Sequence, residues 1–399
     1  MHQASPHEFH PTALQCPQCG ANLTPAAEAY VICQYCGSSV VIAHSAPDSR
    51  SQEAEVNAAL GMRLKELRYT DREGTGLEMF RMLIPVGWDF RGGCRWALDN
   101  PGMPAVAAFQ VWNPQGAEIF EVLPNMNFTW NTAPLTQMMF PPGSRYFGAE
   151  VHQPVNIQEA MFKFVLPRYR SQMQNLQVVD FSPQPDLPRL VKSEAAASGG
   201  WAEGGRVRIR YGWQGSAYEE DMYGVVEVFR APMITMLAAA EVFFWFIDYL
   251  FSFRTAPGRM DAASKLFGVM AYSFRLNPHW YAAYQSIIQY LARQQIQRIH
   301  HIGQISQILA QTSREIREQN LQSWYHRQEV QDRQNLEWSR AMRGVEGFYD
   351  PHREQVVELP SGYGHAWANN LGEYIVTEDP NFNPNLFSNL HWEEMPQQS

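Results

Sequence analysis

Lysine is almost missing from this 399-residue chain: 4 of its 31 basic residues are lysines, and residues 1–43 hold neither lysine nor arginine. With a formal net charge of −9, the chain lacks the broad basic surface of a general nucleic-acid binder, which leaves only a local patch for such a role. No basic region followed by an apolar run opens the sequence, so no secretory signal is read and a cytoplasmic location is expected. Nor is there a long apolar run free of charge. The most apolar window, residues 231–251, carries Glu241 and Asp248, each costing about 2.5–3.5 kcal/mol near the centre of a membrane span. That argues against a membrane partner and predicts buried strands. Signatures of common catalysts are also missing: no P-loop, nucleophile elbow, zinc-protease helix or dinucleotide-binding glycine pattern occurs.

Cysteine is sparse too, at five residues, yet four of them are paired: Cys16-Pro-Gln-Cys19-Gly20 and Cys33-Gln-Tyr-Cys36-Gly37. Two such pairs, a short hairpin apart, bring four thiolates to the corners of a tetrahedron, the geometry that structural zinc takes with sulfur. Disulfides are disfavoured without a secretory signal, and a redox pair would sit at a strand-to-helix turn, which the flanking Ala29-Tyr-Val-Ile32 and Ser39-Val-Val-Ile42 do not offer. Residues 14–43 resemble the zinc-ribbon (rubredoxin-like) family. Cys16, Cys19, Cys33 and Cys36 fill every coordination position, so the Zn2+ is expected to be structural and not catalytic. A ribbon without a basic residue is a poor phosphate binder, which favours protein contact over nucleic acid. The fifth cysteine, Cys94, reads as a lone structural thiol.

The remaining charge is uneven. Residues 61–277 balance at 21 basic and 21 acidic, residues 278–343 carry eight arginines against five acids, and residues 344–399 carry one arginine against nine acids. Residues 277–344 read as one helix of about 66 residues, capped by Asn277 and Pro278 and closed by Arg340, Arg343 and Gly344, which would span roughly 100 Å. Tyr284, Ile288, Leu291, Ile299, Ile302, Ile305, Leu309 and Ile316 form an apolar seam along it. Three arrangements follow: a spacer folded against its own chain, a homo-oligomeric coiled coil, or a free helix.

Between the ribbon and the core, residues 44–76 read as a linker and a docking helix carrying Val56, Leu60, Leu64 and Leu67 at helical spacing. From Leu77 the period changes to two. The segments Met79-Phe-Arg-Met-Leu-Ile-Pro85, Ala105-Val-Ala-Ala-Phe-Gln-Val-Trp112 and Tyr223-Gly-Val-Val-Glu-Val-Phe229 predict strands, with a helix near 157–166 and another from Asp261 to Phe274. The fold class expected is multidomain α+β, with an antiparallel sandwich over residues 77–277. The motif Phe80-x-x-x-Ile84-Pro85-x-Gly87-Trp88, with the late helix and Ser273 before Asn277-Pro278, makes residues 60–277 similar to the PsbP-like superfamily, which includes photosystem extrinsic subunits and Ran-binding proteins. That resemblance implies a non-enzymatic protein-binding domain. Residues 133–155, rich in proline and methionine, and a loop around 195–205, expected to be flexible, depart from it.

Residues 344–399 predict a small three-stranded meander through Gln355–Leu359, His365–Asn369 and Glu373–Thr377. Ser361 and His365 beside Glu358 are explained by a Pro-Ser-Gly turn without catalysis. Glu219, Glu220 and Asp221 read as a solvated turn, or as a holder of a divalent cation. His300 and His301 read as surface residues, and Tyr146, Phe147 and Trp130 as lining of a groove. These observations imply an adaptor or scaffold that binds a protein partner and self-associates through its long helix. The alternatives are a nucleic-acid binder using the ribbon and the helix arginines, and a hydrolase whose site carries no familiar signature.

Elemental analysis of the purified chain should give one zinc per molecule, and the double substitution Cys33→Ser, Cys36→Ser should abolish it. Retention of zinc by the double variant would exclude the four-cysteine site.

Overall fold

The computed structural model describes residues 30–32, 39–41, 62–97, 100–191, 193–234, 239–293, 318–325, 344–386 and 388–398. The chain divides into two compact units, Met1–Leu60 and Gly61–Ser399. In the first, strands β1 (Tyr30–Ile32) and β2 (Ser39–Val41) pair antiparallel, with Ile32 opposite Ser39. The four zinc-ligand candidates lie outside the described residues.

The second unit is mixed α+β, built mostly of antiparallel sheet with few helices. Its strands are β3 (Met62–Thr70), β4 (Glu78–Pro85), β5 (Asp89–Trp96), β6 (Ala105–Trp112), β7 (Ile119–Val122), β8 (Met126–Asn131), β9 (Arg145–Tyr146), β10 (Ala149–Val151), β11 (Gln174–Pro183), β12 (Trp201–Trp213), β13 (Ser216–Ile234), β14 (Ala239–Thr255), β15 (Arg275–Leu276), β16 (Val345–Asp350), β17 (Gln355–Pro360), β18 (His365–Asn369), β19 (Glu373–Thr377), β20 (Trp392–Glu394) and β21 (Gln397–Gln398). The largest sheet runs β11-β12-β13-β14-β7-β6-β5, and β8 with β10 and β9 joins the far half of β14. The second sheet runs β15-β4-β3-β19-β18-β20.

Alternation along β13 and β14 gives the large sheet two apolar faces. On one, Val207, Ile209, Met222, Val226, Trp245 and Leu250 pack under a helical stretch made of Ile157–Ala160, a π-helical turn Met161–Val165 and Leu166–Tyr169. On the other, Phe109, Phe120 and Phe253 meet Phe80 and Met82 of β4 and Phe267 and Met270 of the helix Met260–Ser273. The strands are paired in register by an extra residue, Tyr249, at φ +51° where β14 bulges opposite Gly224.

The window 231–251 lies on strands where it is described, and no described helix is long and apolar enough to cross a membrane. Its acids are built into the sheet: Glu241 pairs with Arg230, while burial raises Asp248 well above the usual carboxylate range and Glu227 facing it adds to the rise.

Several expectations are corrected. Leu64 and Leu67 belong to a strand and not a docking helix; their spacing of three sends them to opposite faces of β3, each into its own core. The meander of residues 344–399 is not separate, because β19 pairs with β3 (Tyr374 opposite Leu64) and continues the second sheet. Its first strand, β17, pairs with β16 instead of β18. The stretch near 195–205 is no loose loop. Ala195 is fully buried in a 3-10 turn, and a Cβ on Gly200 would stand 1.7 Å from the Val228 carbonyl oxygen, so close backbone approach explains the glycine.

The single helix over 277–344 is corrected as well. The helix Pro278–Arg293 is met by residues 318–325, where Asn320 bonds Gln289 (3.2 Å) and Ser286 (3.3 Å) and Trp324 lies 4.6 Å from Tyr281. Partner numbers fall as residue numbers rise, so the two segments run antiparallel and the chain folds back on itself. The cores of helix and sheet are joined by Asp71, which accepts hydrogen bonds from the indoles of Trp280 (3.0 Å) and Trp96 (3.1 Å). Electron-spin distances between labels at Gln285 and Gln322 should fall at about 10–25 Å, as for packed neighbouring helices. A separation of roughly 55 Å, that of one continuous helix, would refute the fold-back.

Candidate protein-interaction surface

Residues 134–147 project from the end of β8. Asn131 starts the excursion: its side-chain oxygen accepts the Ala133 N–H (2.8 Å), and its carbonyl accepts the Gln137 side-chain amide (2.9 Å). Pro134, with φ already set for a helix and no N–H to satisfy, opens the helix Pro134–Met139. None of its six residues is buried. Leu135 is 65% exposed, Met138 81%, Met139 65% and Phe147 53%.

The segment then returns in an ordered way. The Gly143 N–H donates to the Val151 carbonyl, and the Val151 N–H to the Ser144 carbonyl, each at 2.9 Å. A two-residue hairpin turn at Phe147 (φ +49°) and Gly148 (φ +83°) joins β9 to β10. Positive φ at both central positions matches the type I′ turn that suits the twist of a hairpin. Phe147 is therefore in a backbone region that bulky residues avoid, at a cost of about 1–2 kcal/mol. Its ring stands edge-on to Tyr146 at 4.5 Å, and Tyr146 meets Phe140 at 4.6 Å. The three aromatics continue the apolar surface of the short helix. Trp130, expected with them, lies on β8 opposite Phe243 and shares no ring contact with them.

The base of the excursion is rigid where its tip is bare. β10 pairs parallel with β8, Phe128 stacks on buried Trp245 at 4.0 Å, and the Trp245 indole N–H donates to the His152 carbonyl at 2.8 Å. Beneath this, Arg170 is buried at the end of the helical stretch. Its guanidinium forks onto Glu220 and reaches Glu121 (2.6 Å), while the Tyr211 hydroxyl donates to Glu220 (2.8 Å). Burial alone would raise Glu220; the Arg170 charge and hydrogen bonds from Arg170, Ser252 and Tyr211 outweigh it and hold the carboxyl below its usual range.

Glu219, Glu220 and Asp221 are thus corrected from a solvated turn to the buried middle of β13. Glu220 faces Arg170, while on the opposite face Asp221 takes two bonds from Arg208 (2.7 and 2.8 Å) and Glu219 accepts the Gly258 N–H (2.7 Å). Every carboxylate of the triplet serves a protein partner. The signal was present in sequence: Arg206, Arg208 and Arg210 alternate on β12, with Arg208 opposite Asp221 and Arg210 opposite Glu219.

Other candidate residues are not assembled into a site. Ser361 and His365 share no hydrogen bond, and His365 instead faces Glu394 at 3.1 Å. Burial pushes the Cys94 thiol up, with Asp71 and Glu73 adding to it, which opposes thiolate chemistry. His300 and His301 lie outside the described residues. Among the described residues no group of three or more His, Cys, Asp or Glu is arranged to hold a metal ion.

No protein-family model matches the chain, and no curated protein matches it. Among solved structures, it is similar to the crystal structure of LpqN, involved in cell envelope biogenesis of Mycobacterium tuberculosis. The identity is 10%, with 57% of this chain and 97% of that one covered and a TM-score of 0.21, a likeness too low to carry an argument.

Because Asn tolerates the left-handed region that Phe resists, Phe147→Asn should leave the midpoint of thermal unfolding unchanged or raise stability by up to about 1 kcal/mol. A loss above about 1 kcal/mol would mean that the ring is held by packing and is not a bare tip.

Proposed function

We propose that the chain is a non-enzymatic adaptor, stapled by a structural zinc, that binds a protein partner through the apolar excursion at residues 134–147. One observation carries this reading: a short helix with no buried side chain turns Leu135, Met138 and Met139 outward from an ordered base. Soluble domains seldom leave such apolar groups contiguous and bare unless something covers them in use. Methionine suits the task, since its flexible thioether adapts to an irregular partner. The strain held at Phe147 points the same way, because an exposed aromatic in a costly backbone state is not there for stability.

The zinc rests on the two C-x-x-C pairs, and the β1–β2 hairpin supports it by making residues 33–38, which contain Cys33 and Cys36, the connection between two antiparallel strands. With Cys16 and Cys19 these would hold the ion, which supplies folding energy to a segment too small for a core of its own. Unpaired Cys94 and metal-binding thiolates suit the reducing cytoplasm. The similarity of residues 60–277 to the PsbP-like superfamily adds a fold-level analogy in the same direction.

A photo-crosslinking amino acid at position 138, introduced in the native cells, should trap a discrete protein that the same group at exposed Glu354 does not. Leu135→Glu with Met138→Glu should remove the partner from affinity capture while leaving the circular dichroism unchanged. Identical adducts from both positions, or capture unaffected by the two glutamates, would reject this surface.

A further inference from the structure

The chain has 17 methionines, of which Met1, Met236 and Met342 lie outside the described residues. Of the fourteen that remain, nine are buried and three half-buried, which leaves Met138 and Met139 as the exposed ones. These two are adjacent and end the uncovered helix Pro134–Met139. Their sulfurs meet solvent, while those of Met161 and Met222 are shut away from dissolved reagents. Among the half-buried group, the Met233 sulfur already accepts the Asn131 amide at 3.8 Å.

A thioether needs no deprotonation to act as a nucleophile, so access decides which methionine reacts. With hydrogen peroxide as the oxidant, a sulfur lone pair attacks one peroxide oxygen, and the S–O bond forms as the O–O bond breaks. The departing hydroxide takes the proton left on the transferred oxygen and becomes water. Sulfur gives up two electrons, peroxide gains them, and the product is methionine sulfoxide. Cysteine competes for peroxide only as a thiolate, and burial keeps the Cys94 thiol protonated.

We propose that Met138 and Met139 form an oxidation site at which peroxide converts the apolar docking surface into a polar one and releases the partner. This rests on the adaptor reading given above, and it adds the regulation of that surface. A sulfoxide is polar and chiral where the thioether was apolar and flexible. The helix offers the new oxygen no donor: it carries no charged residue, and the Gln137 amide already donates to the Asn131 carbonyl at 2.9 Å. In the free protein water satisfies each sulfoxide, and docking on an apolar partner would strip that water without replacing it. Neither side chain belongs to a core, so the change acts on docking and leaves the fold intact. Reduction by methionine sulfoxide reductases, one for each epimer, restores the surface.

The test treats the full-length, zinc-loaded protein with hydrogen peroxide and reads oxygen uptake at each methionine by peptide mass spectrometry. Retention on a phenyl resin and capture of the protein that crosslinks from position 138 are then measured, each sample against its own untreated control. Met138 and Met139 should react at least tenfold faster than Met161 and Met222, with the midpoint of thermal unfolding unchanged. Resin retention should fall, capture should drop at least tenfold, and the two reductases together should restore both. In the double variant Met138→Leu, Met139→Leu, peroxide should change neither ratio, which separates these sulfurs from the zinc-ligand cysteines. Oxidation of Met138 and Met139 no faster than that of the buried methionines, or equal peroxide loss in the double variant, would overturn the assignment. Capture that persists with both sulfurs oxidised would overturn it and leave the adaptor reading standing. Peroxide-sensitive resin retention with no protein captured from position 138 would uphold the oxidation of the surface and reject the adaptor reading.

Discussion

The buried guanidinium of Arg170 is the constraint on which the large sheet depends. Taking such a charge out of water costs several kcal/mol, and the cost is offset only if geometry and hydrogen bonds are nearly complete. Here Glu220, Glu121, Ser252 and the Tyr169 carbonyl surround it. The carboxylates stand on β13 and β7, the hydroxyl on β14, and the arginine follows the helical stretch that covers the sheet. A shift of that stretch by one residue would leave charges of both signs buried without partners. The helix is thereby fixed in register on a face that is otherwise apolar and tolerant of sliding.

From that register the rest follows. Met161 and Val165 fill one core, Trp245 stacks on Phe128, and β8 is held where it can support β10. The opposite face closes on the second sheet through a run of phenylalanines, among them Phe80, Phe109, Phe120 and Phe253. With both faces filled, apolar side chains that remain outside are conspicuous. The 134–147 excursion is attached to this constrained sheet and carries Met138, at 81% the most exposed large apolar side chain among the described residues, which separates a rigid support from an adaptable tip.

Much of this was legible from period and turn chemistry. The strands around Met79, Ala105 and Tyr223, and those at Gln355, His365 and Glu373, are where alternation puts them, because burial on one face enforces a period of two. Pairing partners were not legible. β19 joins β3 across 310 residues, Arg63 to Glu373, and nothing local distinguishes that pairing from a closed C-terminal meander. The spacing of Leu64 and Leu67 misled because three-residue spacing serves a helix with one core or a strand between two. The run of apolar and glutamine positions after Asn277 reads the same along a continuous helix and along a hairpin of helices, and the contacts of Trp324 with Tyr281 and of Asn320 with Gln289 and Ser286 decide between them. The acidic triplet looked like a turn since three adjacent carboxylates seldom share a strand, and its resolution needed the arginines of β12 and Arg170 to be seen beside it. At the excursion, sequence marked proline and methionine; exposure required the structure.

Hydroxyl-radical footprinting of the purified chain tests most directly whether the apolar surface is bare in the native protein. Met138 is 81% exposed, while Met161 and Met222 are fully buried. Met138 and Met139 should oxidise at least tenfold faster than Met161 and Met222 under conditions that leave the fold intact. Protection of Met138 equal to that of Met161 would show the surface already covered within the free protein, and would contradict its role as a docking face.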